Sequence, residues 1–282
     1  MKKKIFIHTN NKQGIGALIS KFSFESTLSD KDISVEFINV DKLDVFKKFA
    51  GKTYTRNGKE IAYNPQDLQS FTLSRFMPPE LMNYEGRAVV VDPDIFALKD
   101  ISELFSMDMK GKSIACCSKK GAWDTSMMVL DCTKLRHWSM EEILKSLTNK
   151  EKSYSEIMTL ETESNDSVLE VSRLWNSLDT LTPETNMIHM TNRLTQPWKT
   201  GLAIDFTRNS PGKYFGLIPK IWVLRLRGKW PSSYQKHPDK NIENLFFSLA
   251  KKAYLAGSLT KADIEKDIQS KDVRADMLQY IA

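Results

Sequence analysis

Apolar and polar positions along the chain change period several times, and each change marks an element. Lys4–Ile7 carries the apolar run Ile5-Phe6-Ile7 and predicts a first strand, with His8–Lys12 as the loop at its end. Ile15, Leu18, Ile19 and Phe22 recur at helical spacing, which predicts a helix over about residues 15–28. Ile33–Val40 alternates and is rich in β-branched residues, a second strand. Strand, helix, strand is a βαβ opening, so the two strands should run parallel through a right-handed crossover. Gly14 and Gly16 lack the third glycine and the following acidic residue of a dinucleotide fingerprint, and read as a helix start.

Asp41 is placed to cap a short helix with Leu43, Phe46 and Phe49 on its inner face. Residues 51–64 are polar and glycine-containing, a loop or small hairpin. Pro65 suits the first turn of a helix carrying Leu68, Phe71 and Arg75, and Pro78-Pro79 ends it. Ala88–Val91 is a fully apolar strand that runs into Asp92-Pro93-Asp94. Ile95, Leu98, Ile101, Leu104 and Phe105 then predict a helix or turn segment. Ser113–Cys117, Met127–Leu130 and Met187–Met190 are further short apolar runs, and residues 141–165 read as surface helix and loop. From about Lys199 the texture changes. Ile242, Leu245, Phe246, Leu249 and Ala253 mark an amphipathic helix closed by Gly257, and Thr260 with Asp263 opens the next. The expected architecture is an α/β core over residues 1–200, a mixed and mostly parallel sheet with flanking helices, and a C-terminal helical extension over 201–282 packed on it.

Composition narrows the function classes. The chain has 282 residues, 27% of them charged, with a net charge of +6, which favours an anionic partner: nucleotide phosphate, nucleic acid or anionic lipid. Lysines are spread along the chain instead of clustering with aromatics, so no nucleic-acid partner is expected. The three cysteines, Cys116, Cys117 and Cys132, show no zinc spacing and read as buried thiols of a reducing compartment. Met-Lys-Lys-Lys at the start looks like the head of a signal peptide, but the apolar run after it stops at His8. No stretch approaches the ~18 apolar residues of a membrane span. A soluble, cytoplasmic protein is expected.

Asp92-x-Asp94 is the chemical focus. Ligands of open α/β sheets bind outside the carboxyl ends of strands, where these aspartates should sit. Hard oxygen ligands there suit Mg2+ or Mn2+ and a phosphate-bearing substrate, although the pair alone equally describes a solvated turn. Around it, Arg75-Phe-Met-Pro-Pro-Glu-Leu81 and Val89-Val-Val-Asp-Pro-Asp-Ile-Phe-Ala-Leu-Lys-Asp-Ile-Ser-Glu-Leu-Phe105 resemble the glycosyltransferases of family 8, the glycogenin and bacterial lipopolysaccharide-galactosyltransferase relatives. Thr125–Asp131, Leu174–Asp179, Ile188–Thr191 and Gln196–Lys199 are similar to later motifs of that family, in the family's order.

The resemblance implies a GT-A fold, a nucleotide-diphospho-sugar donor (a UDP-sugar first), Mn2+ (or Mg2+) and transfer with retention of configuration. By position it makes Asp92, Asp94 and His189 the metal ligands. Arg75 would approach the donor. Thr9 and Asn10 match the place where the family grips the nucleoside, and Lys12 is within reach of phosphate. Asp124, Thr125 and Ser126 would line the sugar side, with Asp124 or Asp179 stabilising positive charge at the anomeric carbon. His8, His137 and His237 are expected to be surface or capping residues.

Three departures from the family pattern stand out. Met127 replaces a glycine and would crowd the sugar, Thr191–Arg193 replaces another glycine, and Gln196 replaces a diphosphate-neutralising lysine, with Arg193 or Lys199 as substitutes. These departures also fit a degenerate sugar- or nucleotide-binding protein. A nucleotidyltransferase of the same fold ranks lower, because His8–Gly16 lacks its glycine-rich signature. The acceptor, an unidentified glycan, lipid-linked molecule or small molecule, should meet residues 201–282. The basic, aromatic run Trp222–Tyr234 reads first as an ordinary strand and loop on the core, and second as a surface for peripheral membrane association.

Overall fold

The computed structural model describes residues 1–67, 69–206, 212–214, 218–227 and 230–281. β1 (Lys3–Thr9), α1 (Gly14–Thr27) and β2 (Ser34–Asn39) form the expected βαβ opening, with β1 and β2 parallel from Lys4↔Ser34 to Thr9↔Asn39. Asp41 does not cap α2 (Asp44–Lys47). It accepts a hydrogen bond from Asn11 N at 2.7 Å and so ties the loop after β1 to the loop after β2. β3 (Thr53–Arg56) and β4 (Lys59–Ala62) make a hairpin around Asn57-Gly58, whose φ values of 52° and 71° are those of a two-residue hairpin turn. Leu68 lies outside the described residues. Phe71 and Arg75 sit on a 3-10 turn, Ser70–Phe76, and Pro78-Pro79 opens α3 (Pro78–Leu81) instead of ending a helix. Proline loses nothing in a first helical turn, where its N–H would have no partner.

β5 (Arg87–Val91) leads through Asp92-Pro93-Asp94 into β6 (Ile95–Ala97), and a 3-10 turn follows at Ser102–Phe105. Of the helix or turn segment expected over Ile95–Phe105, the turn is what forms, after a short strand at its start. Partners on both edges of β6 override the helical spacing: one edge pairs with a later strand, and on the other Ser20 Oγ donates to Ile95 O (2.6 Å) while Ala97 N donates to Ser23 Oγ (2.9 Å). β7 (Ile114–Lys119), β8 (Ala122–Asp131), α4 (Met140–Thr148), α5 (Tyr154–Met158), β9 (Val168–Glu170), β10 (Ser177–Leu178) and β11 (Met187–His189) complete the core region. β12 (Lys213–Tyr214), β13 (Ile218–Pro219), α6 (Lys220–Leu226), α7 (Lys240–Leu255), α8 (Lys261–Gln269) and α9 (Met277–Ile281) follow.

The main sheet has the order β2-β1-β5-β8-β7-β9. β2, β1 and β5 are parallel, β8 runs against β5 and β7, and β9 is parallel to β7. Its strands are covered on both faces, so successive residues feed different cores. Phe6, Ala88 and Val90 pack with α4 and α5, while Ile5, Ile7, Val89 and Val91 pack with α1. A second sheet, β10-β11-β6, stands beside the carboxyl end of β5. Ile15, Ile19, Phe96, Ile188 and Trp198 then meet Ile242, Phe246, Ala250 and Ile264, which seats the C-terminal helices on α1 and the second sheet. Gly257 follows α7 at φ 74°, and Thr260 forms a capping box with Asp263, both as the sequence suggests. No helix among the described residues is long and apolar enough to cross a membrane.

Cys116, Cys117 and Cys132 are free and buried, and burial pushes the Cys117 and Cys132 thiols up to about 12. The native protein is expected to resist a thiol reagent at neutral pH and to react only as it unfolds, which a labelling time course in denaturant checks.

Candidate active site

Asp92 stands one residue beyond β5, and its partners arrive from both sides. The register Ile7↔Val91 places His8 beside it, with Nε2 2.6 Å from Asp92 Oδ1. Arg75 grips the same carboxylate with both arms, Nε to Oδ1 at 2.8 Å and Nη2 to Oδ2 at 2.5 Å, and donates from Nη1 to Thr125 Oγ1 at 3.0 Å. All three side chains are buried, and a bidentate pair shut away from water fixes its geometry strongly. Burial alone would raise the Asp92 carboxyl, but Arg75 and His8 hold it well below the usual carboxylate range. Burial pushes His8 below the ordinary imidazole value, against the pull of Asp92.

Asp94 is joined to His189 by the second sheet. β6 pairs antiparallel with β11 at Ile95↔His189, and Met190 N donates to Asp94 O at 3.0 Å. His189 Nε2 therefore lies 3.2 Å from Asp94 Oδ1 and 3.7 Å from Asp92 Oδ2. One ligand atom from each of Asp92, Asp94 and His189 falls within 4.8 Å of the others. Two carboxylates and an imidazole that close together fit a divalent cation. His189 Nδ1 is 3.0 Å from Asn176 Oδ1, which turns Nε2 towards the carboxylates. Burial opposes a charge on His189, but Asp94 and Asp92 outweigh it and raise its pKa. Close packing fixes the turn itself: a Cβ on Gly16 would stand 3.1 Å from Pro93 O and 3.7 Å from Trp198 Cζ2.

A break in register builds the far wall. Between Cys116 and Cys117 the partner on β8 jumps from Met128 to Asp124, leaving Thr125–Met127 in a bulge. Ser126 Oγ donates to Asp124 Oδ1 at 2.6 Å and accepts from Asn176 Nδ2 at 2.8 Å, and Arg173 Nη1 donates to Asp124 Oδ2 at 2.7 Å. Burial raises the Asp124 carboxyl, but these two partners bring it below its ordinary value. Met127 points the other way, into the core with Val91 and Ile95, so it does not crowd the cavity as expected.

Arg75, Asp92, Asp94, Asp124, Ser126 and His189 line one cavity of about 260 Å³. Arg193 and Gln196 border it as well, and Gln196 Nε2 donates to Asp94 Oδ2 at 3.1 Å. The other candidates lie around it. Thr9 and Asn10 line a second cavity of about 210 Å³ at α1, β2 and α8, where the buried Asn10 Nδ2 has no partner among the described residues. Lys12 lines a third, of about 370 Å³, together with Arg193. Lys199 is buried and paired with Asp205 at 2.7 Å, outside the lining of the first cavity. Asp179, at φ 44°, accepts from Thr191 Oγ1 (2.6 Å) and Asn192 N (3.1 Å), so it braces the loop after β11.

His137 is at the surface against Glu163, as expected. His237 is buried, with Nε2 3.6 Å from Asp179, but its Nδ1 accepts from Asp239 N at 3.1 Å, a capping contact at the start of α7. His8 is neither a surface nor a capping residue: it is part of the site. A histidine just after a strand reads as a loop residue. Only the parallel register of β1 with β5 reveals that it faces Asp92.

The profile of glycosyl transferase family 8 matches residues 7–196. The chain belongs to that family. His8, Arg75, Asp92, Asp94, Asp124 and His189 all fall within the matched span. The chain is 26% identical over 81 residues to the probable galacturonosyltransferase 6 of Arabidopsis thaliana, a match covering 29% of this chain and 13% of that protein. The chain thus matches only a small part of that curated relative's length. Its fold is similar to that of the galactosyltransferase LgtC solved with donor and acceptor sugar analogues, with a TM-score of 0.50, 12% identity, and coverage of 69% of this chain and 89% of the other. The glycosyltransferase GlyE of Streptococcus pneumoniae is likewise similar, with a TM-score of 0.50, 14% identity, and coverage of 85% and 67%. The fold is GT-A.

Proposed function

We propose that this family 8 protein transfers a sugar from a nucleotide-diphospho-sugar, a UDP-sugar first, to a glycan, lipid-linked or small-molecule acceptor, with retention of configuration. The convergence of Asp92, Asp94 and His189 at the floor of the cavity carries this reading. Mn2+ (or Mg2+) held there would supply Lewis-acid stabilisation of the leaving diphosphate. Arg75 and His8 hold Asp92 in place, Asn176 orients His189, and Gln196 does the same for Asp94. Asp124, kept ionised at the cavity wall, is placed to stabilise positive charge at the anomeric carbon. Residues 1–200 would bind the donor, with the unpartnered Asn10 amide as a donor to a base carbonyl, and 201–282 would shape the acceptor side. The buried free thiols suit a reducing compartment, so we assign the reaction to the cytoplasm.

Arg193 borders both the metal-type cavity and the cavity of Lys12, and supplies the positive charge that Gln196 does not. Arg193→Ala is expected to raise the donor KM roughly tenfold with kcat little changed, as for loss of one charge-assisted contact. Steady-state kinetics check this. The function itself is tested by incubating the protein with a panel of nucleotide-sugars and Mn2+. Transfer or slow hydrolysis of at least one donor is expected, and NMR of the product gives the anomer. No turnover of any donor would remove the catalytic reading.

A further inference from the structure

Residues 206–238 hold seven Lys/Arg and no Asp or Glu, which leaves 34 basic and 35 acidic residues for the rest of the chain. The whole excess of positive charge comes from this one stretch. Within it, Lys220–Leu226 is the helix α6, where the sequence suggested a strand and loop; Gly228 and Lys229 of the same run lie outside the described residues. Trp222 is 62% exposed and Leu226 89% exposed, one helical turn apart on the same side. Arg225 and Arg227 are exposed beside them. The other large apolar side chains exposed among the described residues, such as Leu81 and Leu255, stand on separate elements. Of this stretch, Tyr234 lines the first cavity and its N donates to Leu202 O at 2.8 Å, while Phe206 lies under Arg193 at 5.6 Å and lines the cavity of Lys12.

We infer that α6 docks this protein on an anionic bilayer, with Trp222 and Leu226 seated at the headgroup–acyl boundary and Arg225 and Arg227 against lipid phosphates. A bilayer answers both halves of the surface. A nucleic acid would match the charge and leave Leu226 uncovered, and a second copy of the chain would set like charge against like. The docking itself does not depend on the cavity transferring a sugar.

The test is co-sedimentation of the full chain with phosphatidylcholine vesicles, with and without roughly one-third phosphatidylglycerol. Binding to the phosphatidylglycerol vesicles alone is expected, weakening as salt is raised. Trp222→Asp with Leu226→Asp should weaken it by roughly tenfold or more, and Arg225→Glu with Arg227→Glu should remove the preference for the anionic lipid. The milder pair Trp222→Ser and Leu226→Ser, with an unchanged unfolding midpoint, guards against a folding defect. Wild-type protein that ignores the vesicles, or variants that bind them as wild type does, would overturn the inference. So would tighter binding to duplex DNA that is lost in the same variants.

Discussion

Asp92→Ala is expected to destabilise the protein by about 3–5 kcal/mol, because it leaves the Arg75 guanidinium buried without its counter-ion. His8 loses the shorter of its two polar contacts in the same step, keeping Arg75 Nε at 3.3 Å. Asp94→Ala should behave differently. Among the described residues its carboxylate meets the Gln196 amide and His189 alone, so its removal should cost within about 1 kcal/mol. Urea denaturation of the two variants separates these outcomes. Equal losses of stability would mean that Arg75 finds another anion, and that the division of labour between a braced aspartate and an available one is wrong.

Trp198→Ala is the second large effect, with a loss of about 3–5 kcal/mol expected for an emptied aromatic site. Trp198 is 1% exposed, its ring centroid is 4.8 Å from Phe246 and 6.3 Å from Phe96, and its carbonyl accepts from Arg274 N at 2.8 Å. It therefore joins α7, the second sheet and the segment before α9. It also follows Gln196-Pro197 directly, so the cavity left behind should loosen the hydrogen bond from Gln196 to Asp94. Hydrogen exchange should show α7 and α8 losing protection while β1 and β5 keep theirs. Uniform loss across the molecule would instead mean that the C-terminal helices and the sheet open as one unit.

Much of this architecture was legible because burial writes its period into the chain. Ile5, Ile7, Val89 and Val91 on one face, with Phe6 and Val90 on the other, make β1 and β5 readable as doubly covered strands. The aspartates after β5 and the distant His189 could be connected by motif. The spacing of Ile95, Leu98 and Ile101 left helix and turn open, since three apolar residues at helical intervals also suit a strand entering a turn, and Ser20, Ser23 and β11 decide between them. The bulge at Thr125–Met127 left no local mark, so the direction of Met127 could not be read. Lys199 looked available for phosphate because nothing nearby in sequence advertised Asp205 as its partner. His8 shows the same limit: pairing register, which the chain does not state, makes it a neighbour of Asp92.

The central claim is that Asp92, Asp94 and His189 hold a cation that in turn holds a nucleotide. Calorimetric titration of UDP into wild-type protein, with and without Mn2+, tests it most directly, with His189→Ala as the companion variant. The account predicts tight binding only with the metal, and loss of at least about tenfold of that enhancement in the folded His189→Ala protein. Equal UDP affinity with and without Mn2+ in the wild type, or full enhancement in His189→Ala, would contradict it.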